Sequence, residues 1–300
     1  MTADLDRWRA RGRMQAWRAY EIFMIDSAWH DPAATTKPTL LLVHGYPTSS
    51  WDFSLMWETL CTNFHVVTAD MLGMGFGSKP WPHRYRIGEQ ADLMEAVMQI
   101  ANIGNCHILA HDYGDTVTQE LLARDPEQAT TRYLSVTLLN GGLFPETHRA
   151  RLIQKLMASP LGPLLARFTT RRKLLASFCA VFGQDTQPDS ATLESVWELS
   201  KINQGVRVLP PLLSYIAERK LYRSRWLGAL QKARMPLALI NGSSDPVSGA
   251  HMVTRFSELV AGQHFIRELP RIGHYPQIEA PEAVLAGFRE FTESCGVVWK

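Results

Sequence analysis

Leu109-Ala110-His111-Asp112-Tyr113-Gly114 decides how this chain is read. An apolar run at residues 106–110 enters the stretch, and a helix-like run at residues 116–123 leaves it. A buried strand that turns sharply into a helix presents its central turn side chain at the end of a sheet. Ala110 and Gly114, two residues before and two after, are small enough to let strand and helix approach. The central residue is Asp112. A carboxylate is already ionised at neutral pH, so it can attack a saturated carbon bearing a leaving group without a base to activate it. A serine there would have pointed to acyl transfer.

Outward from this turn the chain alternates. Residues 39–43, 65–69 and 133–139 are continuous apolar runs suited to strands buried on both faces. Residues 53–61 and 89–102 carry helical spacing, the second through Leu93, Ala96, Val97 and Ile100. This predicts an α/β fold, a mostly parallel sheet flanked by helices, with reactive groups at the strand ends. Residues 15–29, rich in aromatic and β-branched side chains, predict one or two edge strands, and residues 1–13 a polar lead-in.

The alternation stops at Leu143. Helix formers then dominate to Lys232, broken at Pro160, Gly162-Pro163 and Pro210-Pro211. The pattern predicts a helical cap, residues 143–232, inserted into a core of residues 1–142 and 233–300. Strands at 237–240 and 265–269 and a helix at 281–292 complete that core.

The 300 residues, 46% hydrophobic and 20% charged, are those of a globular protein with a large core. A net charge of +2 gives no field for nucleic acid. The cap segment holds 14 Lys and Arg against 6 Asp and Glu. A solvated helical face is the expected meaning; an anionic partner or a membrane surface is the sharper one. Cys61, Cys106, Cys179 and Cys295 lie far apart, so no metal ligation or disulfide framework is expected, and a reducing cytoplasm is the simplest home. No apolar run reaches the ~18 residues of a spanning helix. Gly73, Gly75 and Gly77 imitate a dinucleotide fingerprint, but its third glycine falls on Ser78. No cofactor is expected.

Two further motifs stand at predicted strand ends: Asp245 in Ser243-Ser244-Asp245-Pro246, and His274 in Gly273-His274-Tyr275-Pro276. The order nucleophile, acid, histidine matches a triad in which Asp245 holds the imidazole and His274 activates water. His44-Gly45-Tyr46-Pro47 follows the strand at 39–43. The backbone N–H groups of Tyr46 and Tyr113 are the expected oxyanion donors, with Pro47 a candidate cis proline. His44 is expected to brace this loop, His111 to pack behind the nucleophile, and Asp115 to complement the helix dipole.

HGYPTSS, HDYGD, SSDPV and GHYP resemble the epoxide hydrolase and haloalkane dehalogenase branch of the α/β-hydrolases, over about the whole chain. A closer resemblance is to the mesoderm-specific transcript family, through HDYGD at residues 111–115 and NGGLFPETHR at residues 140–149. Animal members of that family are longer and associated with membranes; this chain lacks their apolar segments. The branch implies the α/β-hydrolase fold and an alkyl–enzyme ester on Asp112. Its dehalogenases take a halide on N–H donors, commonly a Trp after the nucleophile and an Asn after His-Gly, where this chain has Tyr113 and Tyr46. Its epoxide hydrolases protonate the leaving alkoxide from cap tyrosines. Tyr215 best matches the second of these, and no tyrosine between residues 143 and 214 matches the first.

An epoxide hydrolase acting on a small apolar substrate is the expectation, with Tyr46, Tyr113 and Tyr215 lining the substrate site. The alternatives are a haloalkane dehalogenase and a non-catalytic ligand-binding protein of the same fold; under any of these readings the chain is a candidate homodimer. The cap aromatics Trp197, Trp226, Phe168, Phe178 and Phe182 are expected mostly in its core, some lining a pocket.

Overall fold

The computed structural model describes residues 1–124, 132–147, 149, 151–159 and 161–300. His148 of the 140–149 string and Pro160, one of the expected breaks, lie outside the described residues. Eight strands form one sheet: β1 Arg13–Trp17, β2 Tyr20–Asp26, β3 Thr39–Val43, β4 His65–Ala69, β5 Cys106–His111, β6 Tyr133–Leu139, β7 Leu237–Gly242 and β8 Phe265–Leu269. Their spatial order is β1-β2-β4-β3-β5-β6-β7-β8. β2 pairs antiparallel with both β1 and β4, and every other neighbouring pair is parallel. β4, β5 and β7 are buried at every position, because the crossover helices cover both faces. That is why their sequences read as unbroken apolar runs.

Residues 1–13 are not only a lead-in. Ala3–Ala10 is a helix, capped by the Thr2 side chain on the Leu5 N–H. Leu5 and Trp8 are its buried side, and Trp8 Nε1 donates to Ser50 Oγ at 3.2 Å. Two apolar residues among charged neighbours make too thin a stripe to stand out in sequence. A helix at Ala250–Leu259 was also not singled out, although Met252, Val253 and Phe256 give it an apolar face.

Between β6 and β7 the chain runs through the helices Leu152–Met157, Gly162–Arg167, Arg171–Cys179, Ser190–Lys201, Leu209–Leu212, Tyr215–Leu221 and Arg223–Gln231. The end of this helical insertion is clamped to the helix Tyr113–Arg124. Glu120 of that helix accepts from Arg225 Nε at 2.9 Å and Trp226 Nε1 at 2.8 Å. Glu218 adds a second tie, accepting from the Ile87 N–H at 3.2 Å. These partly buried, multidentate contacts fix where the insertion sits over the strand ends.

Candidate active site

The C-terminal ends of β3, β5, β6, β7 and β8 converge, and each delivers one part of the site. β5 ends in the turn at Asp112, whose backbone is left-handed at φ 49°. An L-residue adopts that conformation at a cost, so the surroundings must impose it. Gly114 is part of that constraint: a Cβ there would lie 2.3 Å from the Val43 carbonyl oxygen. Only glycine lets the helix start directly against β3. Gly45 plays the same part across the turn, where a Cβ would meet His111 Nδ1 at 2.6 Å.

The loop after β3 wraps over Asp112. The Tyr46 N–H donates to Asp112 Oδ2 at 3.2 Å, and the Tyr46–Pro47 bond is cis. His44 is buried beneath the loop; its Nε2 accepts from the Met71 N–H at 2.9 Å and its Nδ1 donates to the Gly45 carbonyl. Asp70, at the end of β4, ties this loop to the next, accepting from the Ser50 N–H at 2.9 Å and the Phe76 N–H at 2.7 Å. His111 donates from Nε2 to the His274 carbonyl at 2.8 Å, and burial, with His274 nearby, lowers its pKa to about 4. It is therefore a neutral spacer between the two loops.

His274 Nδ1 lies 2.7 Å from Asp245 Oδ2, and His274 Nε2 lies 3.9 Å from Asp112 Oδ1. Asp245 is held in turn by Asn140 Nδ2 at 3.1 Å, Ser248 Oγ at 2.8 Å and the Val247 N–H at 2.7 Å. Burial disfavours charge on both partners. On His274 the charge of Asp245, its hydrogen bond and the charge of Asp112 overcome that, raising the imidazole to about 9. Burial likewise opposes the Asp245 anion, but the imidazolium and the hydrogen bonds outweigh it and lower the carboxyl to about 2. At neutral pH a buried cation thus sits between two carboxylates.

A second cation is present that sequence reasoning missed. Arg219, only 1% exposed, places Nη2 3.8 Å from Asp112 Oδ1 and donates to the Asp112 carbonyl at 3.3 Å. Its Nε donates to Thr116 Oγ1 at 2.9 Å, and its guanidinium lies 4.5 Å from the Tyr215 ring centre. In sequence, Glu218-Arg219-Lys220 reads as a solvated run. The available signal was spacing: Tyr215 and Arg219 are four apart on one helix and share a face. Asn140, which holds Asp245, and Tyr275, which lines the cavity, carry no signal of these roles in the sequence.

A cavity of about 450 Å³ reaches Asp112 and His274. Tyr46, Tyr275, Phe178, Val181, Leu209 and Leu213 are among its walls. Tyr113 and Tyr215 are not among them: their rings stack edge to face at 5.0 Å, both buried, with Tyr215 under Arg219. The Tyr215 phenol is held protonated by burial and by Asp112. Asp115 departs from its expected role. It is fully buried, and burial together with Asp112 pushes its carboxyl well above the usual range, which works against an anion on the helix dipole. Phe168 is one of the cap aromatics that line the cavity, and it is 63% exposed. Among the described residues no three His, Cys, Asp or Glu side chains group as a metal site requires.

Removing one partner from a buried ion pair strands the other. Arg219→Met is therefore expected to lower the unfolding free energy by about 3–5 kcal/mol in urea titration. Added to Asp112→Asn, it should cost less than the sum of the two single changes by more than about 0.5 kcal/mol. Strict additivity would mean that the two groups do not sense each other.

Comparison with known proteins agrees with this architecture. Residues 38–281 match the alpha/beta hydrolase fold family. The mesoderm-specific transcript homolog protein of Bos taurus is 37% identical over 98% of this chain and 89% of its own. The putative hydrolase LipZ of Mycobacterium tuberculosis is 39% identical over 92% of this chain and 93% of its own. Among solved structures, haloalkane dehalogenase DbeA from Bradyrhizobium elkani superposes with a TM-score of 0.76 at 18% identity, covering 95% of this chain and 98% of that one. The chain belongs to the alpha/beta hydrolase fold family, in the branch that holds the mesoderm-specific transcript proteins.

Proposed function

We propose that this protein is a hydrolase working through an alkyl ester on Asp112, with an epoxide as substrate and residues 143–232 as the cap over the pocket. One observation carries the reading: a carboxylate at the cavity floor with an N–H on one oxygen and a charged imidazole beside the other. Oδ2 already accepts from Tyr46, which leaves Oδ1 to attack. The new bond joins Oδ1 to a ring carbon of the epoxide. The ring C–O bond breaks, and its electron pair stays on oxygen. That oxygen takes a proton from Tyr46, which lines the cavity and whose phenol burial keeps protonated. The Tyr46 phenolate is reprotonated from the His274 imidazolium.

Ester formation removes the charge of Asp112, one of the interactions that hold the proton on His274. The imidazole is then a base. It takes a proton from water, whose oxygen adds to the ester carbonyl carbon. The oxyanion forms on Oδ2, facing the Tyr46 N–H, with the Tyr113 N–H as the second donor; such donors are worth roughly 2.7–4 kcal/mol each. Collapse expels the alcohol, which takes the proton back from His274. Asp112 returns as an acid and reionises to His274. In this scheme Tyr215 carries Arg219 instead of acting as the acid.

The dehalogenase reading draws on the likeness to haloalkane dehalogenases. Against it, no Trp or Asn side chain is among the described residues lining the cavity, so the usual pair of halide donors is lacking.

His274→Gln, incubated with a panel of alkyl and aryl epoxides, is expected to accumulate an adduct on the peptide containing Asp112, seen as a mass increase equal to the epoxide. No adduct and no turnover across the panel would remove the reading. The pH dependence separates the leaving groups. His274 is raised from 6.5 to about 9, so its proton is available below that value and lost above it. Pre-steady-state ester formation from an epoxide should fall as pH rises through about 9, while ester hydrolysis should slow toward acid pH. A haloalkane needs no proton to leave, so its ester formation should show no such alkaline limb.

A further inference from the structure

The cavity opens on an unusual face. Ile153 and Phe168 both line it, yet they are 43% and 63% exposed, so the cavity meets solvent at their level. They belong to the helices Leu152–Met157 and Gly162–Arg167 and the turn that follows, which border the cavity with the start of Arg171–Cys179. Leu156, Leu161 and Leu164 on the same segments are 43%, 60% and 53% exposed. Apolar side chains exposed elsewhere, such as Leu55 and Leu221, are scattered along the chain; here five large apolar side chains of one segment stand out around one opening.

The charge of the same segment is one-sided. Residues 151–173 contain six Lys or Arg and no Asp or Glu. Among the described residues only Arg171 of these six has a carboxylate within 4.0 Å, Glu194. Lys155, Arg167 and Arg172 are exposed. Apolar side chains interleaved with cations are what a helix pair presents when it lies in the interface of an anionic bilayer. A protein partner would have to supply acidic groups around an apolar centre; a bilayer with anionic headgroups supplies both over its whole surface.

We propose that this face docks on bilayers containing anionic lipid, with Leu161, Leu164 and Phe168 entering the headgroup region and the cavity mouth turned toward the acyl chains. An apolar substrate would then reach Asp112 without crossing bulk water. That last consequence rests on the catalytic reading above; the docking itself does not.

Flotation on sucrose gradients tests it. The full chain should float with vesicles of phosphatidylcholine and phosphatidylglycerol in equal parts and remain at the bottom with phosphatidylcholine alone. Lys155→Gln, Arg167→Gln and Arg172→Gln together should lower the partition coefficient on the order of 100-fold, since each cation contributes about a fivefold factor near an anionic surface. Leu161→Ser with Leu164→Ser should weaken it too, whereas Arg289→Gln, on the helix Pro281–Ser294 outside the insertion, should change nothing. Asp112→Asn should float like the wild type, so failure of the chemistry and failure of docking are separate results. No flotation with the mixed vesicles, or equal flotation on both kinds, would overturn the proposal. So would concentration-dependent dimerisation in sedimentation that Leu164→Asp abolishes without any vesicle binding, since the face would then belong to a second copy.

Discussion

Everything at the strand ends is arranged around an imbalance of buried charge. Asp112 and Asp245 bring two negative charges into a region that water does not reach freely, and His274 lies between them. Desolvation alone would drive the imidazole neutral. The two carboxylates reverse that, and the resting site holds a proton that solution at neutral pH would remove from most histidines. In the proposed mechanism that proton would be a stored reactant, held while Asp112 is charged and loosened once Asp112 becomes an ester. The acid needed first and the base needed second can therefore be the same ring.

Arg219 extends this balance into the helical insertion. It reaches Asp112 from above, steadied by Thr116 and the Tyr215 ring, while Glu120 clamps Arg225 and Trp226 on the adjoining helix. The insertion therefore places a charge beside Asp112 as well as walls around the cavity. A guanidinium suits the place better than an ammonium, because its planar fork can serve Thr116 and the Asp112 carbonyl while its face lies on Tyr215. Gly114 and Gly45 work at the other end of the same constraint. By letting three backbone segments touch, they hold Asp112 in a left-handed turn that points its carboxylate at these partners.

The sheet was legible because strands buried on both faces leave apolar runs, and β3, β4 and β6 begin and end where those runs do, while β8, a half-exposed edge strand, follows from the resumed alternation. The positions of Asp112, Asp245 and His274 could be read because each stands in a recognisable turn after a predicted strand. What escaped was long-range or masked by composition. The N-terminal helix shows two apolar residues among charges, and Arg219 looks like any surface arginine until its helix is docked. Asp115 reads in sequence as a charge on the helix dipole, whereas in place burial works against its ionisation, since burial is a property of the fold and not of the residue. The role expected of Tyr215 rested on likeness of position, and position on a helix does not say whether a phenol meets the cavity or packs under a neighbour. The cap aromatics divide as composition alone could not say: Phe168 stands at the cavity mouth, Phe178 is buried in its wall, and Trp226 is buried against Glu120.

The central claim is that Asp112 forms a bond to substrate carbon and is regenerated by water attacking its own carbonyl. Single turnover with excess enzyme in heavy-oxygen water tests it directly. The account predicts that the heavy oxygen appears in the Asp112 carboxylate of the recovered peptide and that the first product carries none. Heavy oxygen in the product with an unlabelled Asp112 would mean that water attacks the substrate itself, and the covalent account would be wrong.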